Sequence, residues 1–274
     1  LKSKMVQMMD SDKKTLFTWG VVGAVLFSTL ASFLVHDYLR DLPKPGCPKN
    51  HADLQSHTVY ILDFSDPVTR GDAERIVSHM AASRKELPVR GKLTALFVNA
   101  DTDSELYAVC KPPIPGIRRR NWECEKLDEL AGIDLGKKGE AERFCKFEKK
   151  MHALVADVMR HHQGESPSSP LIEELVKVTS RPDFEHVPKK EIVLYSDLLQ
   201  NTRKYSFYEK SRGSVPVARS VVENEKLALA GAAVSVHQIR RKSDNREMLL
   251  KARAFWQNLF DLAQTRTLDF SWIE

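Results

Sequence analysis

The sequence predicts an α/β domain: a Rossmann-like, mainly parallel sheet with helices on both faces. Three observations predict it. Residues 59–62 and 192–195 are short apolar runs without polar alternation, which is how strands buried on both faces read. Stretches of helical period separate such runs. Residues 57–274 are also enough chain to enclose a full core.

The elements follow in order. Residues 58–62 form a strand, and 71–84 a helix with Ala73, Ile76, Val77 and Met80 on one side. Residues 92–100 and 105–111 are two further strands. The stretch around 111–140 is rich in Pro, Gly and charge and reads as an irregular insertion. A helix over 140–161 carries a stripe of Phe144, Phe147, Met151, Leu154, Val155 and Val158. The loop at 164–170 leads to a short helix over 171–180, opened by Pro170 near its first turn. An apolar strand within 189–201 ends in Ser196-Asp197. A helix over 217–229, a strand over 231–241 and an amphipathic terminal helix over 245–265 complete the domain.

Ahead of this domain the chain changes character. A tail (1–14) precedes a segment at 15–36 whose residues 16–35 include no charge. Twenty uncharged, mostly apolar residues at about 1.5 Å each match a hydrocarbon core of roughly 30 Å, so a transmembrane anchor is expected. A cleaved signal peptide is the other reading, but apolar residues continue through Phe33, Leu34 and Val35, past the candidate cleavage site at Ala31. The flanking lysines and arginines leave the side of the soluble domain open. Residues 37–56 carry three prolines and a glycine and read as a stiff linker.

A net charge of +5 is too small to imply nucleic acid. The basic stretches "IRRRNW" and "IRRK" read as solvated faces, and His161-His162 as a polar helix end. The cysteines Cys47, Cys110, Cys124 and Cys145 can pair in three ways or remain thiols, and their spacing contains no zinc knuckle.

Ligands of open α/β sheets collect beyond the carboxyl ends of strands. Three polar loops are expected there: Asp63, Ser65 and Asp66; Ser166, Ser168 and Ser169; and Ser196 and Asp197. Such oxygens suit magnesium, or serve as helix caps and turns. An aspartyl phosphatase of the haloacid-dehalogenase kind needs a second Asp two residues after the first, where this chain has Ser65. A serine hydrolase needs a GxSxG elbow, which is absent from the sequence.

The motif "DFSDP" followed later by "IVLYSD" resembles the von Willebrand factor A (vWA) family. That family's metal-ion-dependent adhesion site combines Asp-x-Ser-x-Ser, a Thr before a helix, and an Asp after a later strand. Asp63 and Ser65 match the first motif, Asp197 the last, and Ser168 or Ser169 stands about 29 residues before it. Pro67 replaces the third Ser, so the site is degenerate. Membrane-anchored bacterial proteins with an Asp-x-Ser/Thr-Asp-Pro-Leu/Val loop are similar. The resemblance implies a single-pass protein of the bacterial inner membrane. It would bind a partner protein through Mg2+ or Mn2+ held by Asp63, Ser65, Ser168, Ser169 and Asp197. Asp66, Tyr205, Phe207 and Tyr208 are expected at a partner-binding rim. No catalytic residue is expected. The alternatives are a metal-dependent hydrolase or a metal-free vWA-like scaffold.

Overall fold

A computed structural model describes residues 47–48, 50–98, 106–113, 124, 135–161, 166–208, 214–240 and 245–273. The chain divides into two units, Leu1–Pro43 and Lys44–Glu274, and the described residues belong to the second.

Among the described residues six strands form one sheet: β1 (Ser56–Asp63), β2 (Gly91–Val98), β3 (Leu106–Cys110), β4 (Lys190–Ser196), β5 (Ala233–Ile239) and β6 (Thr267–Ile273). Their order is β3-β2-β1-β4-β5-β6, and every neighbouring pair is parallel except β2 with β3. This is a doubly wound order with one antiparallel edge.

Among the described residues six α-helices lie in the connections: α1 (Arg70–Glu86), α2 (Leu135–His161), α3 (Leu171–Thr179), α4 (Pro182–Glu185), α5 (Ala218–Glu225) and α6 (Arg246–Leu262). The side chains of β1 alternate between two cores. Val59 and Ile61 pack with α3, α5 and α6, whereas Tyr60 and Leu62 pack with α1 and α2. All eight β1 residues are buried, which explains the unbroken apolar run.

The elements differ from expectation in three places. The chain does not end its regular structure at α6, because β6 adds an edge strand in register from Ala233↔Thr267 to Ile239↔Ile273. Its Leu268, Phe270 and Trp272 alternate with polar residues, the mark of a half-covered strand. Helix α2 begins at Leu135, inside the stretch read as an irregular insertion. The α1 cap is Thr69, whose Oγ1 accepts from the Asp72 N–H at 3.2 Å, rather than Ser65 or Asp66.

Both cysteine pairs are closed, Cys47 with Cys110 and Cys124 with Cys145. On a chain-entropy account, loops of 63 and 21 residues correspond to roughly 4 and 3 kcal/mol of stabilisation. The first bridge fastens the linker to β3, at the edge of the sheet.

At the amino ends of the strands lies a charged knot. Lys92 on β2 and Arg181 before α4 both donate to the Asp183 carboxylate, Arg181 through Nε at 3.0 Å and Nη2 at 3.1 Å. His57 on β1 bonds the Asp183 carbonyl at 2.8 Å and Thr94 Oγ1 at 2.8 Å. Burial, then the Lys92 charge, lowers the His57 pKa to about 4. Burial opposes the Asp183 charge, but Arg181 and Lys92 hold its carboxyl well below the usual carboxylate range. The backbone is also tight here. A Cβ on Gly91 would lie 2.8 Å from both the Pro88 carbonyl oxygen and Ser56 Oγ.

Among the described residues no helix is long and apolar enough to cross a membrane. The segment at 15–36 lies outside the described residues, as do the tail, "IRRRNW" and His162. The expected transmembrane helix, the membrane as a partner and the single-pass inner-membrane location thus find no support in the described helices, which are short or amphipathic ones packed on a sheet.

Candidate functional site

Three polar loops converge on the carboxyl end of β1, as the sequence predicts. Asp63 closes that strand with 0 % exposure. Its Oδ1 accepts from the Ser65 N–H at 3.1 Å. Its Oδ2 accepts from Ser169 Oγ at 3.1 Å and from Ser196 Oγ at 2.6 Å. The first and middle loops also meet through the backbone, where the Ser166 N–H donates to the Ser65 carbonyl at 2.5 Å.

The last loop is built around β4. Ser196 Oγ donates to Asp63 while accepting from the Leu198 N–H at 2.8 Å. Asp197 turns Oδ1 back to the Leu199 N–H at 2.9 Å. Leu198 takes φ +70°, a left-handed conformation unusual for a bulky side chain. Its surroundings hold it there: the side chain is fully buried and its carbonyl accepts from Trp256 Nε1 at 3.0 Å. Gln200 then reaches across to α3. Its Oε1 accepts from the Ile172 N–H at 2.8 Å, satisfying a helix-start donor that Pro170 does not cap. Its Nε2 donates to Glu173, which also accepts from Thr202 Oγ1 at 2.9 Å.

The structure brings together Asp63, Ser65 and Ser169, but not as metal ligands. Among the described residues no group of three or more His, Cys, Asp or Glu side chains could hold a metal ion. Asp63, Ser65, Ser169 and Asp197 are all buried. The Asp63 oxygens are occupied by serine hydroxyls and an amide, and the Ser168 hydroxyl donates to the Asn201 carbonyl at 2.9 Å. The expected Mg2+ or Mn2+ site at Asp63, Ser65, Ser168, Ser169 and Asp197 is therefore withdrawn. The loops that were to share a cation are joined directly to one another. Sequence reasoning placed both Ser196 and Asp197 in the third loop but chose Asp197 as the ligand; Ser196, one position earlier and so facing the other side of the strand end, is the residue that bonds Asp63.

The rim residues separate by burial. Tyr205 is 8 % exposed and its hydroxyl donates to Glu225 at 2.7 Å. Burial, then that hydrogen bond, raises the Tyr205 pKa to about 12. Phe207 packs edge-on against Phe255, with ring centroids 5.4 Å apart. Tyr208 is 37 % exposed, and Asp66 is half-buried in the first loop. Chemically the cluster holds loops rigid. Among the described residues no histidine hydrogen-bonds Asp63 or its serine partners.

A second polar row went unread in the sequence. Tyr60, Tyr195, His237 and Ser271 stand side by side on β1, β4, β5 and β6, with His79 of α1 bonded to the Tyr195 hydroxyl. Burial, then the neighbouring His79, lowers the His237 pKa to about 4. Alternation on the strands was the available signal: the residue before each of them (Val59, Leu194, Val236 and Phe270) is apolar and faces the opposite core.

No family model matches the chain, and no curated protein does. Three solved structures are similar in arrangement. They are the SpRpn10 VWA domain (11 % identity, 81 % of this chain and 89 % of that one, TM-score 0.35), the conserved hypothetical protein BatB from Bacteroides thetaiotaomicron (14 %, 80 % and 90 %, 0.34), and the TFIIH p34 N-terminal domain (11 %, 82 % and 93 %, 0.33). Likeness this low transfers nothing from those proteins. The sheet order and the meeting of three loops at Asp63 are seen in this structure itself and do not rest on those proteins.

Proposed function

We propose that the chain is a metal-independent protein-interaction scaffold of the vWA-like kind, presenting the loops beyond β1, β4 and the start of α3 as one rigid surface. The observation that carries this reading is the occupancy of Asp63 by Ser65, Ser169 and Ser196. A partner would then meet loops already fixed by hydrogen bonds, which lowers the ordering cost of binding. Asp66 and Tyr208 are the rim residues placed to touch it; Tyr205 and Phe207 support the loop from beneath. The reading involves no bond-making step and no catalytic residue.

Two measurements test it. Millimolar Mg2+ or Mn2+ leaves the unfolding temperature unchanged, since a cation bound by the native state would raise it by mass action. A photo-crosslinking residue at Tyr208 captures a protein partner equally with and without EDTA, while the same residue at exposed Glu86, on the other end of α1, does not. A cation-dependent rise in stability, or capture that EDTA abolishes, overturns the proposal.

A further inference from the structure

Between the start of α6 and the end of β6 lies a pocket of about 220 Å³ lined by Arg240, Arg246, Leu249, Leu250 and Trp272. Leu249 is buried and forms the floor. Leu250 and Trp272 are 51 % and 39 % exposed, so the wall is apolar and open to solvent. Arg253 stacks its guanidinium over Phe270 and Trp272, at 5.0 and 5.1 Å from the ring centroids, and fixes the indole in place. Among the described residues none of these three arginines pairs with a carboxylate; Glu247 on the same helix pairs with Lys251 at 2.8 Å.

We propose that this pocket docks an acidic peptide segment of a partner protein, its carboxylates on Arg240 and Arg246 and an apolar side chain against Leu249, Leu250 and Trp272. Size supports a peptide anchor: the pocket is below the roughly 300 Å³ at which small-molecule sites begin, yet admits one or two side chains. Composition agrees, since tryptophan and arginine dominate the residues that carry binding energy at interfaces. A nucleic acid fits less well, because its backbone needs an extended basic groove and this pocket is a short one with an aliphatic wall. None of the residues that line the pocket belongs to the loops joined at Asp63.

The test uses the full chain and fluorescein-labelled peptides followed by anisotropy. The peptide EDLFED binds saturably; QNLFQN, without charge, and EDGSED, without the apolar pair, bind at least tenfold more weakly. Arg240→Glu with Arg246→Glu lowers EDLFED affinity at least tenfold, about 1.4 kcal/mol, and added salt weakens the wild-type interaction. Both arginines are exposed, so the melting temperature of this variant stays close to wild type. Leu250→Glu, also exposed, gives the same loss through the apolar wall. The proposal is overturned if the wild type does not bind EDLFED, if the charge-reversed variant binds it equally, or if a single-stranded oligonucleotide displaces it from the pocket.

Discussion

Two buried aspartates mark opposite ends of the sheet, and they are satisfied by different chemistry. Asp63, at the carboxyl end, accepts from two serine hydroxyls and an amide. Asp183, at the amino end, is bonded by Lys92 and Arg181. The carboxyl end holds its loops with neutral donors. The amino end uses full charges, placing a lysine and a histidine under the sheet where burial penalises both of their charged forms. The difference teaches that one end of this fold is a charge-locked base, and that the other is a hydrogen-bonded platform on which a binding surface can be carried.

Breaking the base has the largest expected effect. Asp183→Ala leaves Lys92 buried without its counter-charge and lowers stability by roughly 3–5 kcal/mol, measured by urea unfolding. Lys92→Met together with Asp183→Leu restores much of that, because the apolar pair has no charge to leave uncompensated.

The second effect is a pH dependence to which His57, at the same end, contributes. His57 has a folded pKa of about 4 against 6.5 unfolded. Between these values the unfolded chain binds a proton that the folded chain refuses. The His57 contribution is therefore fully present above pH 6.5 and is lost as the pH falls toward 4, a change of about 3 kcal/mol at most. His57→Gln flattens that part of the stability–pH curve. The residual slope reports His237, whose pKa is lowered in the same direction.

Opening the platform costs less. Asp63→Ala removes the common acceptor of Ser65, Ser169 and Ser196 and destabilises by about 2 kcal/mol, since hydroxyls can turn to other partners. Asp63→Asn keeps the shape and one acceptor oxygen and loses about half as much, which would sharpen the view that Asp63 serves as an acceptor for neutral donors. The smallest effect is Thr69→Ala, about 1 kcal/mol from the α1 cap, read by thermal unfolding. If Asp63→Ala proved as harmful as Asp183→Ala, the contrast between the two ends would fail.

Much of the fold could be read in advance, and so could the address of the site. Strands β1, β2 and β4 declare themselves through apolar runs because burial on both faces favours apolar side chains, and β5 through its valines alternating with Ser235 and His237. The polar loops after β1 and β4 stood out against those runs. Strand β6 was missed because its alternation is short and follows a strongly amphipathic helix. The partners of Asp63 were only half legible. Sequence places Ser196 and Asp197 side by side, but which of them points at β1 depends on the pleat of a strand paired through Leu62↔Tyr195.

The sequence by itself determined the layered α/β architecture, the order of its elements and the meeting of three polar loops at one sheet end. These follow from local periodicity and from the rule that parallel strands need crossovers. Tertiary structure alone decided the cysteine pairing, the Lys92–Asp183–Arg181 knot, the left-handed Leu198 and the joining of the Asp63 loops without a cation. Each depends on residues far apart in the chain coming within hydrogen-bond reach. Only the packed sheet, with its register and its covered faces, fixes those distances.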